Sequence, residues 1–234
     1  MATLRTILHL LLGMGISTFA AACAVSQPQT PQSVVADPAV GSEQSDARMW
    51  QSTVIVDTGD GHGTGVIIGE GMVLTAFHVV DGEATTIEFF GGERASGRVT
   101  WTDRSLDLAV VSVAVPTHYP ISALYCGDLR HDQQLVAIGH PLTKRWVSVE
   151  GSLGEGQYVA DPPLVPLGFD LSLGNSGGPV FDIKGRVVGI ASEILVKRTT
   201  REIAAQMNPG IDTEMTGLGL MTPANSFCHQ LLTI

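Results

Sequence analysis

Runs of β-forming residues only a few positions long, cut apart by glycine, constrain the fold of this chain more than any other feature. The first set covers 52–56, 65–68, 72–75, 85–90, 97–101 and 108–113; the second covers 134–138, 146–149, 156–159, 180–181, 186–190 and 217–221. With 27 glycines and 12 prolines in 234 residues, many turns between short strands are expected, and long helices are not. A connector bounded by Pro116 and Pro120 separates the sets. The pattern predicts an all-β fold of two similar small barrels, one over about 49–115 and the other over about 121–221. A closing helix is expected over 222–232, starting at Pro223 and gathering Phe227, Leu231 and Leu232 on one side.

Hydrophobic residues make up 44% of the chain and charged residues 15%, enough for a sizeable core. The net charge of -10 comes without a cluster of Lys and Arg, which argues against a nucleic-acid partner. Residues 1–25 read as a targeting segment. Arg5 is its only charge, an apolar stretch over 7–16 follows, and Ala20-Ala21-Ala22-Cys23 supplies the small residues a signal peptidase needs. Two outcomes stand open: ordinary cleavage, or conversion of Cys23 into the lipid-bearing first residue of a bacterial lipoprotein. Ala20 stands where such lipoprotein boxes usually carry Leu or Val. A third reading, less favoured than cleavage, keeps 7–25 as an uncleaved anchor, since it is near the roughly 17 residues a span requires. The expected location is periplasmic or secreted, with membrane contact only through this segment or a lipid on Cys23. Residues 26–48 are poor in large apolar side chains and are expected to be a flexible linker. An oxidising compartment would allow Cys126 and Cys228 to bridge. A core of this size does not require it, and two buried small hydrophobes that never meet is the preferred reading.

The chemistry centres on Gly174-Asn175-Ser176-Gly177-Gly178-Pro179. A serine hydroxyl is a poor nucleophile until a neighbouring base takes its proton. Flanking glycines permit a tight turn that aims the N–H groups of Gly174 and Ser176 at one point, as an oxyanion requires. The base is expected to be His78, which ends the apolar run 72–77 in the first strand set. The third member must hold the imidazole in one tautomer. Asp107 directly precedes the apolar run 108–111 and suits that role; its rival, Asp103, lies in the polar turn 102–105.

The order His, Asp, Ser is that of the chymotrypsin-like clan, and the sequence more narrowly resembles the HtrA (Deg) family of trypsin-like serine proteases. The matching segments are Gly63-Thr64-Gly65-Val66-Ile67-Ile68, Val73-Leu74-Thr75, His78-Val79-Val80, Asp107-Leu108-Ala109-Val110-Val111, Ala137-Ile138-Gly139-His140-Pro141, the stretch 174–179, and Gly217-Leu218-Gly219-Leu220-Met221-Thr222-Pro223. The resemblance implies two six-stranded antiparallel barrels with the triad between them, a polypeptide substrate and no cofactor or metal. Two departures stand out. The given sequence ends at Ile234, so the PDZ domain such proteins usually carry is not expected here, and Ser172 stands where they commonly have Asn.

Asp170 lies six residues before Ser176, the offset of the specificity acid in trypsin, where a buried carboxylate would select Arg or Lys. A turn aspartate is the preferred reading; Leu171, Ser172 and Leu218 complete the candidate pocket. The polar stretch 195–216 is expected to be a mobile loop bordering the cleft, with a short helix at 200–207. The functional expectation is a serine endopeptidase working through an acyl-enzyme. The alternatives are a proteolytically silent binding protein or holdase on the same fold, and an esterase-like acyl hydrolase.

Overall fold

The structure is a computed structural model, and it describes residues 39–80, 82, 84–142, 144–156, 164–195 and 216–231. The targeting segment with Cys23, residues 26–38 of the expected linker, and positions 196–215 of the expected mobile loop lie outside the described residues.

Six strands close the first barrel: β1 (Thr53–Asp57), β2 (His62–Gly69), β3 (Met72–Ala76), β4 (Ala84–Glu88), β5 (Arg94–Asp103) and β6 (Leu108–Val113). Their order is β1-β2-β3-β6-β5-β4, with β4 returning to β1. Alternation along the strands sorts the apolar side chains into two sets. Val54, Val56, Ile67, Val73, Ile87 and Val111 fill the barrel. Val66, Leu74, Leu108 and Val110 belong instead to a core shared with Ile138, Phe181, Ile190 and Phe227 of the second half. Strands β2, β3 and β6 are therefore apolar on both faces, which is why Leu108-Ala109-Val110-Val111 reads as an unbroken run.

The second sheet contains β7 (Gln134–Gly139), β8 (Val147–Ser152), β9 (Val165–Ser172), β10 (Pro179–Asp182), β11 (Val187–Leu195) and β12 (Thr216–Pro223). Its order is β8-β7-β10-β11-β12-β9. The edges of β8 and β9 meet at the Leu153–Leu167 bridge, beside a bond from Gly154 N–H to the Pro166 carbonyl of 2.9 Å. The molecule is thus the expected pair of six-stranded antiparallel barrels.

Four local expectations are corrected. The expected set of strands lacks β9; Gly156 of the strand expected at 156–159 lies in a bend, and 157–159 lie outside the described residues. Pro166 and Gly168 disguise β9 in the sequence, but Pro166 sits beside a bulge opposite β12, where its missing N–H costs little. Second, residues 39–48 are not linker but part of helix α1 (Ala39–Ser52). Few large apolar residues advertise this helix. Met49, 4% exposed, anchors it in the shared core, and the hydroxyls of Ser52 and Thr53 bond the Met49 carbonyl at its end. Third, Pro223 ends β12 instead of starting a helix over 222–232. A 3₁₀ turn (Ala224–Ser226) and a single-turn α2 (Cys228–Leu231) follow. Fourth, Cys126 and Cys228 form a disulfide. A core of this size did not call for the bond; the packing of the connector against the C-terminal turn brings the pair together. Cross-linking positions 102 apart stabilises by about 4–5 kcal/mol on a chain-entropy estimate.

Candidate active site

His78 and Asp107 are placed by one pair of strands. The β3–β6 ladder ends at Ala76 opposite Leu108, and Phe77 N–H extends it by bonding the Asp107 carbonyl at 2.9 Å. His78 follows in a 3₁₀ turn (Phe77–Val79). Asp107 adopts φ +54°, a left-handed conformation that aspartate reaches more readily than most residues with a Cβ when its side chain finds hydrogen-bond partners. Its carboxylate has such partners. Oδ1 accepts His78 N–H at 3.0 Å, and Oδ2 accepts both His78 Nδ1–H at 2.7 Å and the Ser192 hydroxyl at 2.7 Å. Burial pushes the Asp107 carboxyl up, but the bonds from His78 and Ser192 and the charge of His78 outweigh it and hold the group below the ordinary carboxylate range. An ionised Asp107 accepting at Nδ1 leaves Nε2 as the basic nitrogen of His78.

Asp103 is elsewhere. Its carboxylate caps its own turn, accepting the N–H groups of Ser105 and Leu106 and the Ser105 hydroxyl. It is therefore a turn residue, and Asp107 alone of the two meets His78.

Ser176 sits in the turn between β9 and β10, partly exposed. Barrel one grips this turn through Thr64. Thr64 N–H bonds the Ser176 carbonyl at 2.8 Å, and the Thr64 hydroxyl donates to the Gly174 carbonyl at 2.7 Å. The neighbouring Gly177 has φ +79°, and a side chain there would collide with Thr75 and with the backbone of Thr64 and Ala76. Only glycine lets the serine turn lie this close to the strand end that carries His78. Gly177 N–H also bonds the Ala191 carbonyl at 2.7 Å, and the next residue, Ser192, is the one touching Asp107.

The peptide before Gly174 is oriented too. The Leu173 carbonyl accepts Leu142 N–H at 3.0 Å. In a trans peptide C=O and N–H point opposite ways, so the Gly174 N–H faces away from Leu142. Gly174 has φ +93°, and any Cβ would run into the His140 carbonyl.

The candidate pocket residues line one edge of barrel two. Asp170, Leu171 and Ser172 end β9, paired with Leu218, Gly217 and Thr216 of β12. Leu171 is buried and points inward, while Asp170 is exposed on a strand. The acid is therefore neither in a turn nor the buried carboxylate that selection of Arg or Lys would need. Sequence reasoning gave no role to Thr64 or Ser192. Thr64 stood inside a matching segment; Ser192 acts on a residue 85 positions away, for which no local signal exists.

A histidine held by a carboxylate at the strand ends of one barrel, and a glycine-lined serine turn of the second that is bonded to the first through Thr64, are the parts of a chymotrypsin-type serine peptidase domain. Residues 63–190 match the trypsin-like peptidase domain family, and the chain belongs to that family. It is similar to a probable periplasmic serine endoprotease, DegP-like, of Brucella suis, at 33% identity over 143 residues. That match covers 56% of this chain and 27% of the relative. It is also similar to the serine protease PepD of Mycobacterium tuberculosis, at 32% identity over 65% of this chain and 39% of the relative. The chain thus spans between about a quarter and two-fifths of the length of these relatives. Among solved structures, the active form of the Rv3671c protease of M. tuberculosis superposes with a TM-score of 0.64 at 23% identity, covering 85% of this chain and 87% of that one. The HtrA-type protease AlgW with tripeptide gives 0.66 at 21% identity, covering 82% and 62%. At such identities these two likenesses concern the fold alone.

Proposed function

We propose that this chain is a serine endopeptidase in which His78 deprotonates Ser176, Asp107 orients and stabilises His78, and the N–H groups of Gly174 and Ser176 receive the oxyanion. The observation that carries this reading is the Asp107 carboxylate, which binds His78 at both its backbone N–H and Nδ1 and thereby commits Nε2 to basic duty. Ser176 attacks the scissile carbonyl as Nε2 takes its proton; the same proton then passes to the leaving amine, and water resolves the acyl-enzyme. The relatives' names as serine endoproteases support a polypeptide substrate, and the periplasmic location in one of those names supports export of this chain. A lipid on Cys23 is the finer reading of its amino terminus. A detergent-partitioning mature protein that Cys23→Ser releases would support it, and a water-soluble form starting elsewhere would remove it.

A fluorophosphonate probe should label the protein at Ser176. Labelling and peptidase activity should both vanish in Ser176→Ala, with turnover falling by several orders of magnitude because the triad acts as a unit. A labelled Ser176→Ala variant, or one still cleaving casein, would sink the mechanism; an unlabelled wild type would favour a silent binding protein.

A further inference from the structure

We propose that Arg145, through its ion pair with Glu88, is a positioning residue that locks residues 140–142 and 144–146 of the β7–β8 loop against barrel one and thereby aims the Gly174 N–H. This rests on reading Gly174 as an oxyanion donor.

The loop joins β7 to β8 in barrel two, and it bears directly on the serine turn: Leu142 N–H fixes the Leu173 carbonyl, and the His140 carbonyl lies against the Cα of Gly174. It is also strained. Leu142 at φ +46° and Trp146 at φ +48° are bulky residues in left-handed conformations, which persist only where neighbouring structure over-determines them.

Barrel one supplies that determination at several points. The His140 N–H bonds the Thr64 hydroxyl at 3.2 Å, and His62 Nε2 lies 2.9 Å from the His140 carbonyl. Phe90 meets Trp146 edge to face at 5.4 Å. Trp146 N–H in turn bonds His140 Nδ1 at 2.9 Å. That bond requires a neutral imidazole, and burial, with the charges of His62 and Arg145 adding to it, lowers the His140 pKa to about 3. The Nε2–H of the same ring makes only a marginal contact with the Val54 backbone, short of a formed hydrogen bond.

Arg145 is the charged member of this set. Glu88 ends β4 with its side chain 7% exposed, and its cross-strand partner Arg94 holds Oε2 through Nε and Nη2. Arg94 Nη1 also lies 4.0 Å from Asp57 Oδ2. Arg145 reaches from the other barrel to the remaining oxygen, Oε1. A nearly buried carboxylate oxygen without a partner is costly, so Glu88 holds Arg145 in one place. The tether lands next to Trp146 and three residues after Leu142, at the base of the strained turn.

Acylation of Ser176 by p-nitrophenyl acetate, followed by stopped flow across pH, tests the clamp. Arg145→Ala should fold, since Arg145 is half exposed and Arg94 remains on Glu88. Its maximal acylation rate should fall about 10- to 100-fold, less than outright loss of an oxyanion donor. Apparent affinity should stay within about twofold and the pH profile unchanged, because His78 and Asp107 are untouched. Arg145→Lys, which can still offer one N–H to Oε1, should recover most of the rate. Phe90→Leu, at a side chain 41% exposed, provides a second arm and should lower the rate by a few-fold with the same signature. A wild type unreactive at Ser176 would remove the underlying reading. With a reactive wild type, full-rate acylation by Arg145→Ala, a shifted pH profile, or no recovery in Arg145→Lys would overturn the clamp alone.

Discussion

The two halves of the candidate site are held in different ways. The acid–base half is local: His78 and Asp107 sit at the paired ends of β3 and β6, and Phe77 N–H continues the ladder between them. The nucleophile half is borrowed. Ser176 and Gly174 lie on a turn of barrel two, but the groups that fix their carbonyls come from Thr64 of barrel one. The first half should therefore survive small shifts between barrels, and the second should register each of them. Catalysis needs both, so the sensitivity of the whole is set by the half with the longer supply line.

The largest way to break this comparison lies on the acid–base side. Asp107→Asn keeps a hydrogen bond to His78 but favours the wrong tautomer, and kcat should fall by about 10⁴. A smaller loss than from Asp103→Asn would mean the orienting acid was misassigned. On the nucleophile side, Thr64→Val removes the donor to Gly174 and the acceptor for His140 while keeping shape. We expect a fall of about 10- to 100-fold in kcat, with recovery in Thr64→Ser. If Thr64→Val were silent, the serine turn would be self-supporting and the contrast would collapse.

Acid sharpens the contrast further. The His140 pKa is about 3 in the folded chain, below the ordinary histidine value near 6.5. The unfolded chain therefore takes up a proton that the folded one refuses between these limits. Stability is full above about pH 6.5 and is lost as pH falls toward 3, by about 2 kcal/mol at pH 5. Asp107, whose pKa is depressed, gives up its contribution only as pH drops below the ordinary carboxylate range. Thermal melts of His140→Gln should show a flatter dependence between pH 6.5 and 4; an unchanged slope would mean that His140 does not govern it. The smallest effect should come from Ser192→Ala. One of the three bonds described to the Asp107 carboxylate disappears, and kcat should fall about three- to tenfold, its pH profile moving as the Asp107 carboxyl becomes easier to protonate. A loss approaching that of Asp107→Asn would show that barrel two, not β3 and β6, holds the acid in place.

These differences track what was legible in the sequence. His78 and Asp107 follow or precede apolar runs, and Ser176 is wrapped in glycines, so local pattern marked all three. The two-barrel architecture was readable because strands apolar on both faces leave unbroken runs. Strand β9 was not, since Pro166 and Gly168 hide a strand whose bulge tolerates them. Helix α1 escaped because its stability comes from Met49 in the shared core and not from an apolar stripe. Thr64, Ser192 and Arg145 carry ordinary residue types at unremarkable positions, and each acquires its role from a partner 57 to 110 residues away. Such pairings exist only after the barrels meet.

The Cys126–Cys228 bond makes barrel two a covalent ring. The proposed activity would expose the chain to itself, and a cut anywhere between these cysteines would leave the two fragments joined. Self-digestion inside the ring would then pass unseen on a gel run without reductant, and the nicked chain would travel with the intact one. Adding reductant would part the fragments, so the difference between the two gels counts the molecules that have already cut themselves.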